Sequence, residues 1–118
     1  MSSDLVERLV ADHRRLEELF AEIETATDPA ARRSALDAAT ALLAGHTRAE
    51  EERLHPLLGA EIAAYEAAEH ARVDELVARL AELNDVDPAF AELLAALLDT
   101  ARQHMQEEET ELFPRLLG

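Results

Sequence analysis

An all-α fold is predicted, an antiparallel up-down four-helix bundle assembled from two repeated helical hairpins, and three observations predict it. The 118-residue chain is rich in Ala, Leu, Glu and Arg, which favour helix, and holds only three Gly and four Pro. Its apolar residues recur at helical spacing in four segments. The breaks between those segments repeat about every 58 residues, as though one hairpin had been written twice. A chain of this length supports one core, so residues 1–118 are expected to form a single domain.

The first segment, 4–25, carries Leu5, Leu9, Leu16, Phe20 and Ile23 on one stripe. The second, 29–55, carries Leu36, Leu42, Leu43 and Leu54. Asp28-Pro29 opens it as an N-cap followed by a proline in the first turn, where a missing N–H costs nothing. The third, 60–83, carries Ile62, Val73, Leu76, Val77, Leu80 and Leu83. The fourth, 88–113, opens on the matching Asp87-Pro88 and carries Phe90, Leu94, Leu97, Leu98, Leu112 and Phe113. Pro56 and Pro114 are expected to end the second and fourth helices. Short connections between long helices make sequence neighbours antiparallel.

Charge and composition exclude several function classes. The net charge of −15, from 26 acidic and 11 basic residues, repels nucleic acid and anionic membranes. Without cysteine there are no disulfides, thiolate metal sites, covalent haem links or thiol catalysis. The first residues show neither a basic start nor an apolar run, and no stretch suits a bilayer. The expected setting is the cytoplasm, as a monomer or weak homodimer.

Four of the five histidines fall into one scheme: His13, His46 with Glu50 four residues on, His70, and His104 with Glu108 four residues on. His13 and His70 are 57 residues apart, and His46 and His104 are 58 apart. Each lies on its helix's apolar stripe and therefore points inward. A residue four positions on is turned by only about 40°, so Glu50 and Glu108 share that face. Two carboxylates in an apolar core demand neutralisation. Four neutral imidazoles and two bridging carboxylates suit two iron or manganese ions, and zinc less well. His13 lies 15 residues before Asp28 and His46 lies 18 after it, while His70 and His104 are each 17 from Asp87. At about 1.5 Å per residue, all four rings meet at one level.

Weaker signals surround this set. Glu52 and His55 form an E-x-x-H pair, but only one such pair exists and His55 stands where the repeat has Phe113, so it is read as a boundary side chain. Tyr65 and Glu66 lie about one turn before His70; Tyr65 is assigned to packing. The runs Glu50-Glu51-Glu52 and Glu107-Glu108-Glu109 are read as mostly solvated outside the two motif carboxylates. Arg14, Arg15, Arg32 and Arg33 are expected in surface ion pairs.

His13, His46-Thr-Arg-Ala-Glu50, His70 and His104-Met-Gln-Glu-Glu108, each H-x-x-x-E block running on to a proline, resemble the hemerythrin-like (HHE cation-binding) domain over nearly the whole chain. The resemblance implies a bundle around a non-haem di-iron centre with an oxo or hydroxo bridge. It implies terminal ligation by His13, His46, His70 and His104 and bridging by Glu50 and Glu108. Oxygen-carrying hemerythrins have a fifth histidine where this chain has Glu66, and an aspartate five residues after the last histidine, where this chain has Glu109. The symmetric pattern is similar to bacterial hemerythrin-like proteins that handle peroxide or nitric oxide. The expected activity is thus reaction with hydrogen peroxide, dioxygen or nitric oxide, foremost a catalase-like peroxide breakdown, with Glu66 and Glu109 as acid–base candidates. The alternative is an oxygen or iron carrier or sensor without turnover. No electron donor is identifiable from the sequence.

Overall fold

The computed structural model describes residues 2–117, and all regular structure among them is helical. Helix α1 spans Ser2–Thr25, α2 Pro29–Ala49, α3 Ala60–Glu82 and α4 Pro88–Glu107, followed by a short α5, Phe113–Leu117. Helix α1 lies along α2 and α3 along α4, and α1 also meets α4 and α5, which closes the four-helix bundle. No helix among the described residues is long and apolar enough to cross a membrane.

The predicted helix starts hold at atomic detail. The Asp28 carboxylate accepts from the Ala31 N–H at 3.1 Å, and that of Asp87 accepts from the Ala89 N–H at 2.9 Å. Each satisfies a first-turn donor that the helix leaves free. Helix α3 starts differently, on Gly59 in extended conformation with no side-chain cap.

Both long helices that carry an H-x-x-x-E block widen just past its glutamate, which the sequence did not announce. Over Glu50–Leu54 and again over Glu108–Leu112 the backbone bonds reach back five residues: the His55 N–H donates to the Glu50 carbonyl and the Phe113 N–H to that of Glu108. Such wide turns insert an extra residue and rotate everything that follows.

After the first, His55–Leu57 tightens and Leu58 becomes extended, so Pro56 does end this helix. Pro114 does not end the fourth. The helix runs on as α5 to Leu117, contrary to expectation. In a regular helix the proline ring collides with the carbonyl four residues back. Here the wide turn immediately before it has already displaced the carbonyl ladder, and Leu116 packs against the core beyond it.

The core is divided. One apolar cluster, with Leu16, Phe20, Leu36, Leu80, Phe90 and Leu97 among its members, fills the end nearer the connections at residues 26–28 and 83–87. The other, built from Leu5, Val6, Leu9, Ala49, Leu54, Leu112 and Phe113, fills the opposite end. Between them lies a buried polar layer of His13, His46, Glu50, Glu66, His70, His104 and Glu108.

The basic residues are less superficial than expected. Arg15 does pair on the surface with Glu18 at 3.0 Å. The guanidinium carbons of Arg32 and Arg33, however, stand 5.2 and 5.0 Å from the centroid of the Phe90 ring. Arg33 also pairs with Asp85, tying α2 to the α3–α4 connection. Tyr65 does not pack inward: it is 52% exposed, and its hydroxyl donates to Glu107 at 3.2 Å. The stripe of α3 that faces the core passes through Glu66, one residue on, and leaves Tyr65 outside.

Candidate metal centre

All six motif residues converge, one from each of α1 and α3 and two from each helix bearing an H-x-x-x-E block. Their ligand-bearing atoms form two groups, His13–His46–Glu50–Glu108 and Glu50–His70–His104–Glu108, and within each group these atoms lie within 4.8 Å of one another. The two groups share both carboxylates.

The carboxylates straddle the halves. One oxygen of Glu50 lies 2.9 Å from His70 Nε2 and the other 3.3 Å from His46 Nε2. One oxygen of Glu108 lies 3.0 Å from His13 Nε2 and the other 3.4 Å from His104 Nε2. Glu50 is 0% exposed and Glu108 1%, so neither reaches water. Glu108, rather than Glu109, is thus the inward carboxylate of the last block, as displacement by four residues along a helix requires.

The layer is unsatisfied as a set of protein atoms alone. Glu50 Oε2, Glu66 Oε1, Glu108 Oε2 and His104 Nε2 have no hydrogen-bond partner. His13 Nε2 and His46 Nε2 face each other at 3.2 Å, so at least one must carry a proton or both must share a positive ion. Buried polar atoms are rarely left so. Converging imidazole nitrogens and carboxylate oxygens fit first-row divalent or trivalent cations.

Protons partly fill the same role when no cation does. Burial draws the His46 imidazolium down, but the neighbouring carboxylates of Glu108 and Glu50 prevail and push it up to about 10. His104 is likewise opposed by burial and raised by Glu108 to about 9, and His70 is raised by Glu50 against the same burial. Glu108 is drawn up by burial, yet its close polar neighbours Glu50, His104, His13 and His46 hold it well below the usual carboxylate range. Glu66 has no such company, and burial pushes it up to about 7.

A second ring of carboxylates orients the imidazoles from outside. His13 Nδ1 meets Glu109 at 2.7 Å, His46 Nδ1 meets Asp12 at 2.9 Å, and His70 Nδ1 meets Glu51 at 3.2 Å. An Nδ1–H held by a carboxylate leaves the Nε2 lone pair pointing inward and makes it more basic. Aromatic contacts brace the rings as well: Phe113 stacks on His13 at 5.7 Å between centroids, and His55 stacks on His70 at 5.1 Å.

The profile of the Hemerythrin HHE cation binding domain matches residues 4–116. The chain belongs to the hemerythrin HHE family. Neither a curated protein nor a solved structure matches it. As a hemerythrin HHE domain it is a cation-binding protein, and the buried histidine–glutamate layer is where a cation fits.

Sequence reasoning missed the outer ring. Glu51 and Glu109 were counted among solvated residues, yet each follows an inward glutamate by one position and reaches a histidine of α3 or α1. Their equivalence under the 58-residue repeat was the available signal. Asp12, directly before His13, gave no signal, because it serves His46 on the neighbouring helix. Of the acid–base candidates, Glu109 is engaged by His13, while Glu66 is 5% exposed and faces the centre. His55 packs on His70 outside both ligand groups, and Glu52 is exposed.

Proposed function

We propose that this protein is a non-haem di-iron protein that reacts with hydrogen peroxide, dioxygen or nitric oxide, and that its foremost activity is catalase-like: two peroxides become dioxygen and two waters. The observation that carries the reading is the straddling of both histidine pairs by Glu50 and Glu108, each with one oxygen lacking a hydrogen-bond partner. Two buried carboxylates so placed call for a pair of cations, with His13 and His46 terminal on one side and His70 and His104 on the other. Two irons held there would supply Lewis acidity and one-electron redox steps that no side chain of this chain offers.

The protein's own part is to bind, orient and exclude. The outer carboxylates Glu109, Asp12 and Glu51 hold three imidazoles with Nε2 inward. The apolar clusters on either side keep bulk water from the layer. A cavity of about 220 Å³ bounded by Ile62, Tyr65, Glu66, Glu108 and Leu112 opens on that layer and is sized for a small molecule. With Glu109 engaged by His13, Glu66 is the candidate acid–base group with an oxygen still free.

The test is metal analysis and an absorption spectrum of protein made in iron-supplemented cells and purified in air. Two irons per chain with near-ultraviolet oxo-to-iron bands are expected, and a metal-free protein would sink the proposal. Oxygen evolution on adding peroxide separates an enzyme from a carrier or sensor, which takes up its ligand without turnover.

A further inference from the structure

The two faces beside the polar layer are not alike. On the α1–α2 side, Asp12 precedes His13 and Ala49 precedes Glu50. On the α3–α4 side, Glu69 precedes His70 and Glu107 precedes Glu108. The repeat pairs Asp12 with Glu69 and Ala49 with Glu107. Each stands at the level of the layer, about 100° round its helix from an inner ligand.

The first side is closed. Asp12 bonds His46 Nδ1 at 2.9 Å, and Ala49 is buried in an apolar cluster. The second side is open. Glu69 and Glu107 are half-buried, and one oxygen of each lies within 4.8 Å of the other and of a His104 nitrogen. His104 Nε2 is turned toward Glu66 and Glu108, which leaves Nδ1 for this face. His104 is only 7% exposed, and its Nδ1 has no hydrogen-bond partner, whereas His13, His46 and His70 each have a carboxylate there. Two carboxylates and a buried, unpartnered nitrogen converge without touching.

Such spacing suits a shared ion better than direct bonds. A hydrogen bond needs about 3 Å, whereas donors about 2.1 to 2.5 Å from one cation stand roughly 3 to 5 Å apart. Two carboxylates with one imidazole fit a divalent first-row cation.

The same face opens a route inward. A cavity of about 240 Å³ is lined by Tyr65, Glu69 and Glu107, and Tyr65 and Glu107 also line the cavity of about 220 Å³ that reaches Glu66 and Glu108. The Tyr65 hydroxyl donates to Glu107, and this pair is the wall that the two cavities share. Carboxylates thus succeed one another from the surface to the layer.

We propose that Glu69, Glu107 and His104 Nδ1 form an outer station for a divalent cation, from which the His70–His104 position of the centre is loaded. This rests on the two-cation reading above. The station is used while the inner position is empty. Once a cation sits on His104 Nε2, Nδ1 keeps its proton and the station is reduced to two carboxylates. Arg72, which also lines the outer cavity, is the competing positive charge.

Stopped-flow absorbance of cobalt(II) added to the metal-free protein tests this without any turnover. The native loading rate should level off as cobalt is raised, because binding at the station precedes transfer. Glu69→Gln and Glu107→Gln should each slow loading at low cobalt by about tenfold, while the cobalt bound at the end changes little. Arg72→Ala should quicken it. Glu92→Gln removes an exposed carboxylate about 22 Å along α4 from Glu107, where charge is screened, and should leave the rate unchanged. Circular dichroism of each metal-free variant checks the fold. Unaltered rates in both glutamine variants, or a slowing matched by Glu92→Gln, overturn the station and leave the centre intact. A fall in bound cobalt as large as the fall in rate also overturns it, since both residues would then belong to the centre itself. A native chain that takes up neither cobalt nor iron overturns both readings.

Discussion

Helices α1 and α3 follow one plan and surround their histidines differently. His13 sits one turn after Leu9 and lies under Phe113, both apolar; His70 sits one turn after Glu66 and lies under His55, both polar. Backbone, helix phase and the inward glutamates are held in common, and the difference is confined to side chains one turn away or across a stack. The repeat thus supplies a symmetric pair of positions, and a few substitutions at repeat-equivalent places make one more polar than the other. Their surroundings differ without a change in the bundle, because interiors are packed tightly enough that a changed side chain alters a site more readily than it alters helix placement.

The largest expected effect removes what the halves share. Glu50→Leu takes an oxygen from both positions at once, so iron per chain should fall from two toward zero and the purified protein should be colourless, as metal analysis and absorbance report. Retention of both irons would show that the halves do not meet at this carboxylate.

The next prediction sharpens the comparison through the outer ring. Asp12→Asn, Glu51→Gln and Glu109→Gln should each lower cation affinity by about 10- to 100-fold, as removal of such partners does elsewhere. Glu69→Gln should cost less than any of these, because Glu69 stands within 4.8 Å of a His104 nitrogen while His104 Nδ1 makes no hydrogen bond. A competitive chelator series measures all four. A loss in Glu69→Gln equal to the others would restore the symmetry that the structure breaks.

Acidity offers a third test, on metal-free protein unfolded by urea at a series of pH values. His46, His70 and His104 are raised in the folded state, with His46 at about 10 and His104 at about 9. Their contribution is complete below the ordinary histidine value near 6.5 and is lost as pH climbs through 9 and 10. Glu66, raised to about 7, favours folding when protonated, so its contribution fades between about 4.5 and 7. Glu108 is lowered, and its contribution is lost as pH falls below about 4.5. Stability should peak near pH 5 and decline on both sides, and Glu66→Leu should flatten the decline up to pH 7. Cation affinity should run the other way and rise with pH, since the ligands bind deprotonated.

The smallest effect comes from making one contact symmetric. His55→Phe gives His70 the same neighbour that His13 has and removes a ring nitrogen left without a partner. Stability should change by about 1 kcal/mol or less, in the stabilising direction, with iron content unaltered. A thermal melt and metal analysis check it, and loss of an iron would give His55 a role in binding.

The helices and the six inward residues were legible because both rest on local periodicity. Leu9, His13 and Leu16 define one stripe on a single helix, and Glu50 shares the face of His46 by spacing alone. Asp28 and Asp87 were legible as caps for the same reason. What escaped lies across helices. Asp12 follows the logic of α1 as a surface residue, yet bonds a histidine of α2. Tyr65 is aromatic and so reads as a packing residue, yet it lies one position off the inward stripe through Glu66 and His70. Pro114 was read as a stop because nothing local announces that the preceding turn widens.

The sequence by itself determined that this chain is a helical bundle of two like hairpins with four histidines and two glutamates at one level, since helix phase converts spacing directly into direction. Only the tertiary structure decided that the helices widen just after those glutamates, that carboxylates of neighbouring helices hold three of the imidazoles from outside, and that Glu66 is buried beside the centre while Leu9 is buried in hydrocarbon. Those are relations between helices. Their energy depends on distances and burial that no single helix contains.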